Sequence, residues 1–221
     1  MLAERLTLGR SRPTQRRRQP GRLRCLSSSF LQLSIGAWVI ERTCTRIRES
    51  IEAGYSTLSI AANVSLVQFR SPGFVSSVRD ALNRSKIPPD LLVLELTESV
   101  ASGNFYETMR TLTELKTLGV KLAIDDFGTG YSSLAYLKHF PIDSIKLDRA
   151  FVADITTDPL DRAIAETVVA LAERLHLDVI AEGVETIEQA RCMEEIGCHR
   201  LQGFLFGHPM RENELFAAVP V

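Results

Sequence analysis

The sequence lacks any apolar run long enough to cross a bilayer. Its longest largely apolar stretch, Phe30 to Ile40, is about half of the roughly 20 residues a spanning helix needs, and Gln32 and Ser34 interrupt it. No membrane span is therefore expected. Cysteine is scarce: Cys25, Cys44, Cys192 and Cys198 form neither a CxxC pair nor a framework spacing. That pattern points to reduced thiols in a cytoplasmic protein rather than to disulfides or a zinc site. No repeat at a fixed period and no low-complexity linker divides the interior. Acidic residues are nearly absent from the first 24 positions, where Glu4 stands against eight arginines. A transit-type presequence or a nucleic-acid arm has such a composition, but apolar periodicity is also missing before about Phe30. Residues 1–34 are accordingly expected to be an arginine-rich segment outside the fold, disordered or frame-shifted, and residues 35–221 to form the domain. With 45% hydrophobic and 24% charged residues in 221, that domain can bury a full core as one unit.

What is present is an alternation of strand and helix signals joined by short connections, as in a parallel α/β fold. Strands are expected at Leu58–Val64, Leu92–Leu96, Lys121–Ile124, Ser144–Leu147, Asp178–Ala181 and Leu201–Leu205. All are short and mostly apolar, as strands buried on both faces should be. Between them, Ile164, Val168, Leu171 and Leu175 recur at helical spacing and predict one buried stripe. Phe105, Met109, Leu112 and Lys116 repeat that geometry. Thr186 with Gln189 predicts a capped helix start, and Gly119 and Gly197 predict helix stops.

The strand ends carry the chemistry. Asn63 closes the first strand, Glu95 with Glu98 the second, Asp125 with Asp126 the third, Lys146 with Asp148 the fourth, and Glu182 with Glu185 the fifth; Gln202 is placed within the sixth. In a parallel barrel these ends converge on one face. Clustered carboxylates repel one another and burial raises their pKa values, so cations must balance them. Lys146 supplies one positive charge, and the Asp, Glu and Asn oxygens form the hard donor set that Mg²⁺ or Mn²⁺ prefers. Adjacent Asp125 and Asp126 suit two ions and metal-assisted attack of water on phosphorus. Taken singly, a strand-end acid often caps the next helix, and a lone lysine is often solvated; the constellation carries the argument. A barrel aldolase with a Lys146 Schiff base would leave the carboxylates without purpose. The glycines of Asp125–Ser133, DDFGTGYSS, either form a phosphate nest or give the loop the freedom to place the aspartates.

The motifs AANVS (61–65), ELTES (95–99), DDFGTGYSSL (125–134), IKLD (145–148), AEGVET (181–186) and QGFLFGHP (202–209) resemble, in order and spacing, the signatures of EAL domains. The resemblance covers about Ile35 to Met210. It implies a TIM-like (β/α)8 barrel and hydrolysis of cyclic di-GMP to linear pGpG in bacterial second-messenger signalling, with two Mg²⁺ or Mn²⁺ ions. It implies Asn63, Glu95, Asp125 and Asp126 as metal ligands, with Asp125 shared between the ions. Glu182 would position or deprotonate the attacking water, and Lys146 would hold that water and the developing charge. Glu98, resembling the glutamate that steadies the DDFGTG loop, joins Gln202, Glu185 and Asp148 as residues expected to contact substrate or brace the ligands. The same loop contributes to dimer contacts in the family, so a homodimer is a further expectation; no nucleic-acid partner is required.

The start of the chain departs from the family pattern. A QPI-like strand, the name-giving EAL strand, an RW pair and an FIP-like turn are not visible. Glu4 lies 59 residues before Asn63, near the place of the family's metal-binding glutamate, but Thr7-Leu8-Gly9 follows it in place of the RW pair. Six of the eight strands needed to close a barrel are readable, so the barrel is expected to be incomplete at its N-terminal side. A catalytically impaired remnant that binds cyclic di-GMP or a partner without hydrolysis is the alternative. Gly207-His208 also stands where the family usually has Ser-Arg.

Overall fold

The computed structural model describes residues 28–102, 104–128, 137–210 and 214. Helix α1 (Ser28–Glu52) crosses residue 34 without a break. Ile40, Cys44 and Ile47 are buried and Ile51 packs beside them, a spacing of three and four that forms one helical stripe. This stripe lies against β1 (Ile60–Val64) and α3 (Phe74–Ser85), with the short α2 (Leu66–Phe69) between them. A 3₁₀ turn at Pro89–Leu91 leads into β2 (Leu92–Thr97), and a second at Glu98–Ser102 leads out of it.

Helix α4 (Phe105–Thr117) begins where the Asn104 side chain accepts the Tyr106 and Glu107 N–H groups. It stops before Gly119, whose φ of 91° lies in the left-handed region. Strands β3 (Lys121–Phe127) and β4 (Ser144–Leu147) follow, then the short α5 (Ala150–Ala153). In α6 (Pro159–Leu175) the Asp158 side chain accepts the Leu160 N–H, and Pro159 opens the first turn. Strand β5 (Asp178–Ala181), α7 (Ile187–Glu195) and β6 (Arg200–Leu201) complete the order.

The six strands make one sheet in sequence order, and every neighbouring pair is parallel. Leu92, Leu94, Leu96, Leu122, Ile145 and Leu147 are fully buried within it. Parallel strands need crossovers, and helices supply the described ones between β1 and β2, β2 and β3, β4 and β5, and β5 and β6. The architecture is α/β, a partial TIM-like barrel in which β1 and β6 are the outer strands among the described residues. At the strand N-termini, Lys116 Nζ binds Asp143 Oδ1 at 2.8 Å, while Asp143 Oδ2 accepts the Leu122 N–H at 2.8 Å. This fastens α4 to the start of β3 and leaves the opposite face to the polar strand ends.

Strands β4 and β5 have the expected bounds; β1 begins two residues later and β2 ends one residue later than expected, and two strands differ more. β3 runs on through Asp125 and Asp126 to Phe127, whereas β6 is only Arg200–Leu201, so Gln202 lies just past the strand rather than within it. The chain turns at once after Leu201, because Gly203 packs onto the backbone of Val184. The predicted stripe of α6 also shifts: Ala165, Val168, Val169 and Ala172 form the buried face, and Ile164, at its margin, is 39% exposed. The predicted cap of α7 is present, with Thr186 accepting the Gln189 N–H and Gln189 accepting the Thr186 N–H.

Cys44, Cys192 and Cys198 are free and buried. Burial pushes the Cys44 and Cys198 thiols up, which lowers their reactive thiolate fraction. With Cys25 replaced by Ser, native protein should react negligibly with a thiol reagent at pH 8, and all three remaining thiols should react once it is unfolded. Rapid native labelling would contradict the packing of α1 and of the β5–β6 segment.

Candidate active site

Parallel pairing sets the strand ends side by side. Asn63 of β1 is in register with Glu95 of β2, and Thr97 of β2 with Asp125 of β3. Between β3 and β4 the register slips: Ile124 pairs with Ile145 and Phe127 with Leu147. Two residues of β3, Asp125 and Asp126, thus stand opposite one residue of β4, Lys146. This is a β-bulge, which re-aims side chains that would otherwise alternate between faces. Asp126 takes the left-handed conformation, φ 54°, which aspartate tolerates better than most residues. Its N–H lies 3.1 Å from Asp125 Oδ1.

Lys146 is the centre of the cluster. Its side chain is 5% exposed, and Nζ lies 3.0 Å from Glu95 Oε1, 3.1 Å from Asp125 Oδ1 and 2.5 Å from Glu182 Oε1. Burial disfavours its charge, but hydrogen bonds to Glu182 and Glu95 outweigh that cost and hold the ammonium well above its ordinary pKa. A Schiff-base role needs a neutral amine, so this environment argues against the aldolase reading. Burial also pushes the Glu182 carboxyl up, opposed by Lys146 and reinforced by Asp125 and Glu95. For Asp126 desolvation is again the first cause, followed by the charges of Asp125 and Asp148.

One oxygen each from Asp125, Asp126 and Glu182 lies within 4.8 Å of the others. The donors are all hard oxygens, and burial, reinforced by the neighbouring carboxylates, raises two of the carboxyls, Asp126 and Glu182. Both features fit a site for a small divalent cation. Asn63 is exposed near the end of β1, in register with Glu95.

A family model for the EAL domain matches residues 19–209. The chain belongs to the EAL domain family. It is 43% identical over 189 residues to the bifunctional diguanylate cyclase/cyclic di-GMP phosphodiesterase MucR of Pseudomonas aeruginosa, covering 86% of this chain and 28% of that protein. It therefore spans little more than a quarter of that relative. The solved structure of the PaMucR phosphodiesterase in complex with c-di-GMP superposes with a TM-score of 0.82 at 42% identity, covering 88% of this chain and 78% of the other. A manganese/c-di-GMP complex of Klebsiella pneumoniae BlrP1 gives a TM-score of 0.71 at 32% identity, with coverage of 85% and 46%.

Within this EAL fold the remaining predicted residues are spread differently. Glu98 accepts the Gly128 N–H at 3.3 Å. Gly128 has φ 100°, and a Cβ there would lie 2.8 Å from the Phe151 ring. Asp148 accepts the Ala150 N–H at 2.8 Å, opening α5, and stands close enough to Asp126 to raise its pKa. Glu185 is exposed, and its own N–H is held by Gln189 at 2.7 Å, which places it at the start of α7 and not in the Lys146 cluster. Gln202 is exposed; its backbone N–H donates to Ala181 at 2.8 Å and its carbonyl accepts the Val184 N–H at 3.1 Å. Glu4 and residues 129–136 of the glycine loop, with the dimer contact expected there, lie outside the described residues.

Sequence reasoning missed the bulge and the close approaches of Gly183 and Gly203. A Cβ on Gly183 would meet Arg149 Cβ at 2.5 Å, and one on Gly203 would meet the Val184 carbonyl oxygen at 2.1 Å. The glycines after Glu182 and Gln202 were the available signal.

Replacing Lys146 by Met leaves Glu95, Asp125 and Glu182 without their ammonium. Breaking a buried ion pair in this way costs about 3 kcal/mol or more, equivalent to about 6–12 °C in Tm for a chain of this size. Calorimetry of metal-free Lys146→Met should show that loss, and millimolar Mg²⁺ or Mn²⁺ should recover part of it. An unchanged Tm would remove Lys146 from the centre of the cluster.

Proposed function

We propose that the chain is a metal-dependent phosphodiesterase that hydrolyses cyclic di-GMP to linear pGpG in bacterial second-messenger signalling. The carrying observation is the buried Lys146 held between Glu95, Asp125 and Glu182. In this reading Asn63, Glu95, Asp125 and Asp126 would hold two Mg²⁺ or Mn²⁺ ions. When bound, these supply Lewis-acid neutralisation of the phosphodiester and acidify the attacking water.

The protein's own groups do the rest. Glu182, its basicity raised by burial, orients the water and takes its proton as the oxygen attacks phosphorus. Lys146 fixes the Glu182 carboxylate and stabilises the negative charge that grows on the phosphoryl oxygens. The P–O3′ bond breaks as the P–O bond to water forms; the ribose 3′ oxygen takes up a proton from solvent water and Glu182 returns its own to solvent, giving pGpG. Glu98 steadies the loop after Asp126 through Gly128. Asp148 stands beside Asp126, while Gln202 and Glu185, both exposed, would meet substrate at the edge of the site. No helix among the described residues is long and apolar enough to cross a membrane, which suits a cytoplasmic second-messenger enzyme; a homodimer through the DDFGTG region belongs to the same reading, and no nucleic-acid partner is required.

A second reading, cyclic di-GMP binding without hydrolysis, is favoured by one observation. Among the described residues β1 is an outer strand, and no described strand beyond Asn63 adds a ligand there.

Turnover separates the two. Purified chain with Mg²⁺ or Mn²⁺ should produce pGpG, with kcat reduced at least about 100-fold in Glu182→Gln, the size of a general-base contribution. Because Glu182 acts deprotonated and its pKa is raised, kcat/KM should fall with decreasing pH through a point above the ordinary glutamate value of about 4.3. Binding without turnover by folded, metal-supplemented protein would establish the second reading.

A further inference from the structure

Past β6 the chain forms a compact turn. The Phe206 N–H donates to the Gly203 carbonyl at 3.1 Å, and the Gly207 N–H to the same oxygen at 3.3 Å. Leu205 packs against the core, so its neighbours project outward: Phe204 is 52% and Phe206 61% exposed. The His208 ring lies over Phe204, with centroids 4.4 Å apart and planes 31° from parallel. Among the described residues this pair presents an aromatic face to solvent, and exposed apolar patches of this kind mark binding sites.

The turn is fixed to the catalytic strand end. Val184 donates to the Gln202 carbonyl and accepts from the Leu205 N–H, both at 3.1 Å. Gly203 sits so close to Val184 that no side chain fits between them. Val184 is two residues beyond Glu182, whose carboxylate touches Lys146 at 2.5 Å. The turn that carries Phe204 and His208 is therefore bonded to the segment that follows Glu182, at the strand C-terminal end.

We infer that Phe204, stacked on His208, is the platform for one purine base of the substrate, so that the cluster holds the phosphodiester while this turn holds a base. The inference rests on the phosphodiesterase reading and deepens it. A purine is flat and aromatic, which matches a stacking surface better than an aliphatic or peptide ligand does. Stacking is tolerant of base identity, so the platform adds affinity, and hydrogen bonds elsewhere choose guanine. The clamp on Val184 holds the platform at a fixed distance from Glu182, which makes it preorganised.

The test uses the whole chain carrying Glu182→Gln, so that ligand is not consumed, with Mg²⁺ and a cyclic dinucleotide in which one guanine is replaced by fluorescent 2-aminopurine. Binding should quench the emission through stacking. Phe204→Leu should remove most of that quench and raise the Kd for cyclic di-GMP about fivefold or more. Phe204→Trp should retain both, and His208→Ala should weaken both. Equal Tm values across the set would separate the effect from misfolding. Ligand bound with undiminished quench and affinity in Phe204→Leu overturns this inference alone; a chain that binds no cyclic di-GMP overturns the phosphodiesterase reading with it.

Discussion

The Lys146 ammonium, buried among three carboxylates, is the interaction on which the rest of the site depends. Like charges a few ångströms apart in a region of reduced dielectric repel strongly, and Glu95, Asp125 and Glu182 would not stay at the ends of three different strands without it. Its three contacts at 3.0, 3.1 and 2.5 Å tie β2, β3 and β5 to β4. One ammonium does not neutralise the cluster. With Asp126 included, four carboxylates leave a formal excess of three negative charges. Two divalent cations and one phosphodiester anion would bring the sum to zero, which is the electrostatic case for the proposed two-ion site and for binding substrate and metal together.

Holding both aspartates at one place requires a departure from regular strand geometry. Successive residues of a strand face opposite ways, so in an unbroken β3 one of Asp125 and Asp126 would point away from Lys146. The bulge sets both against it, and the left-handed Asp126 absorbs the turn. Gly128, bonded to Glu98 and pressed against Phe151, fixes the chain immediately afterwards. The strain at Asp126 is therefore confined between a paired strand and an anchored glycine.

Much of this was legible because apolar strands buried on both faces and polar strand ends leave separate signals. Ser144–Leu147 and Asp178–Ala181 read correctly, since each is a short apolar run with an abrupt polar end. The grouping of Glu95, Asp125, Lys146 and Glu182 followed from topology alone: once strands are parallel and in sequence order, their ends must meet. Sequence pattern did not reveal the bulge, because register depends on pairing between strands and not on either strand by itself. Residues 202–205 of the turn after β6 were misread as strand, since Phe204 and Leu205 satisfy strand propensity. What ends the strand is the contact of Gly203 with Val184, a tertiary constraint. Ile164 was misplaced for a similar reason, its side of α6 being decided by the neighbours of Val168 and Val169.

The fifth strand end shows how one sequence motif divides between chemistry and scaffold. Glu182 and Glu185 are three residues apart, and their types give no basis for choosing between them. Gly183, with φ 71° and Arg149 against its Cα, reverses the chain immediately after Glu182. That leaves Glu182 at the strand end beside Lys146, with its own N–H held by the Leu147 carbonyl at 3.1 Å. Beyond the reversal, Val184 is buried and clamped to the turn after β6, while Glu185 is drawn to the helix cap by Gln189. The glycine thus separates a carboxylate that faces three charged neighbours from one that faces solvent. Because the clamp begins two residues after Glu182, a shift of the Gly203 turn would be transmitted to Glu182 through a single paired segment. Backbone hydrogen bonds and an excluded Cβ, rather than side-chain packing, set the distance between Glu182 and the aromatic turn.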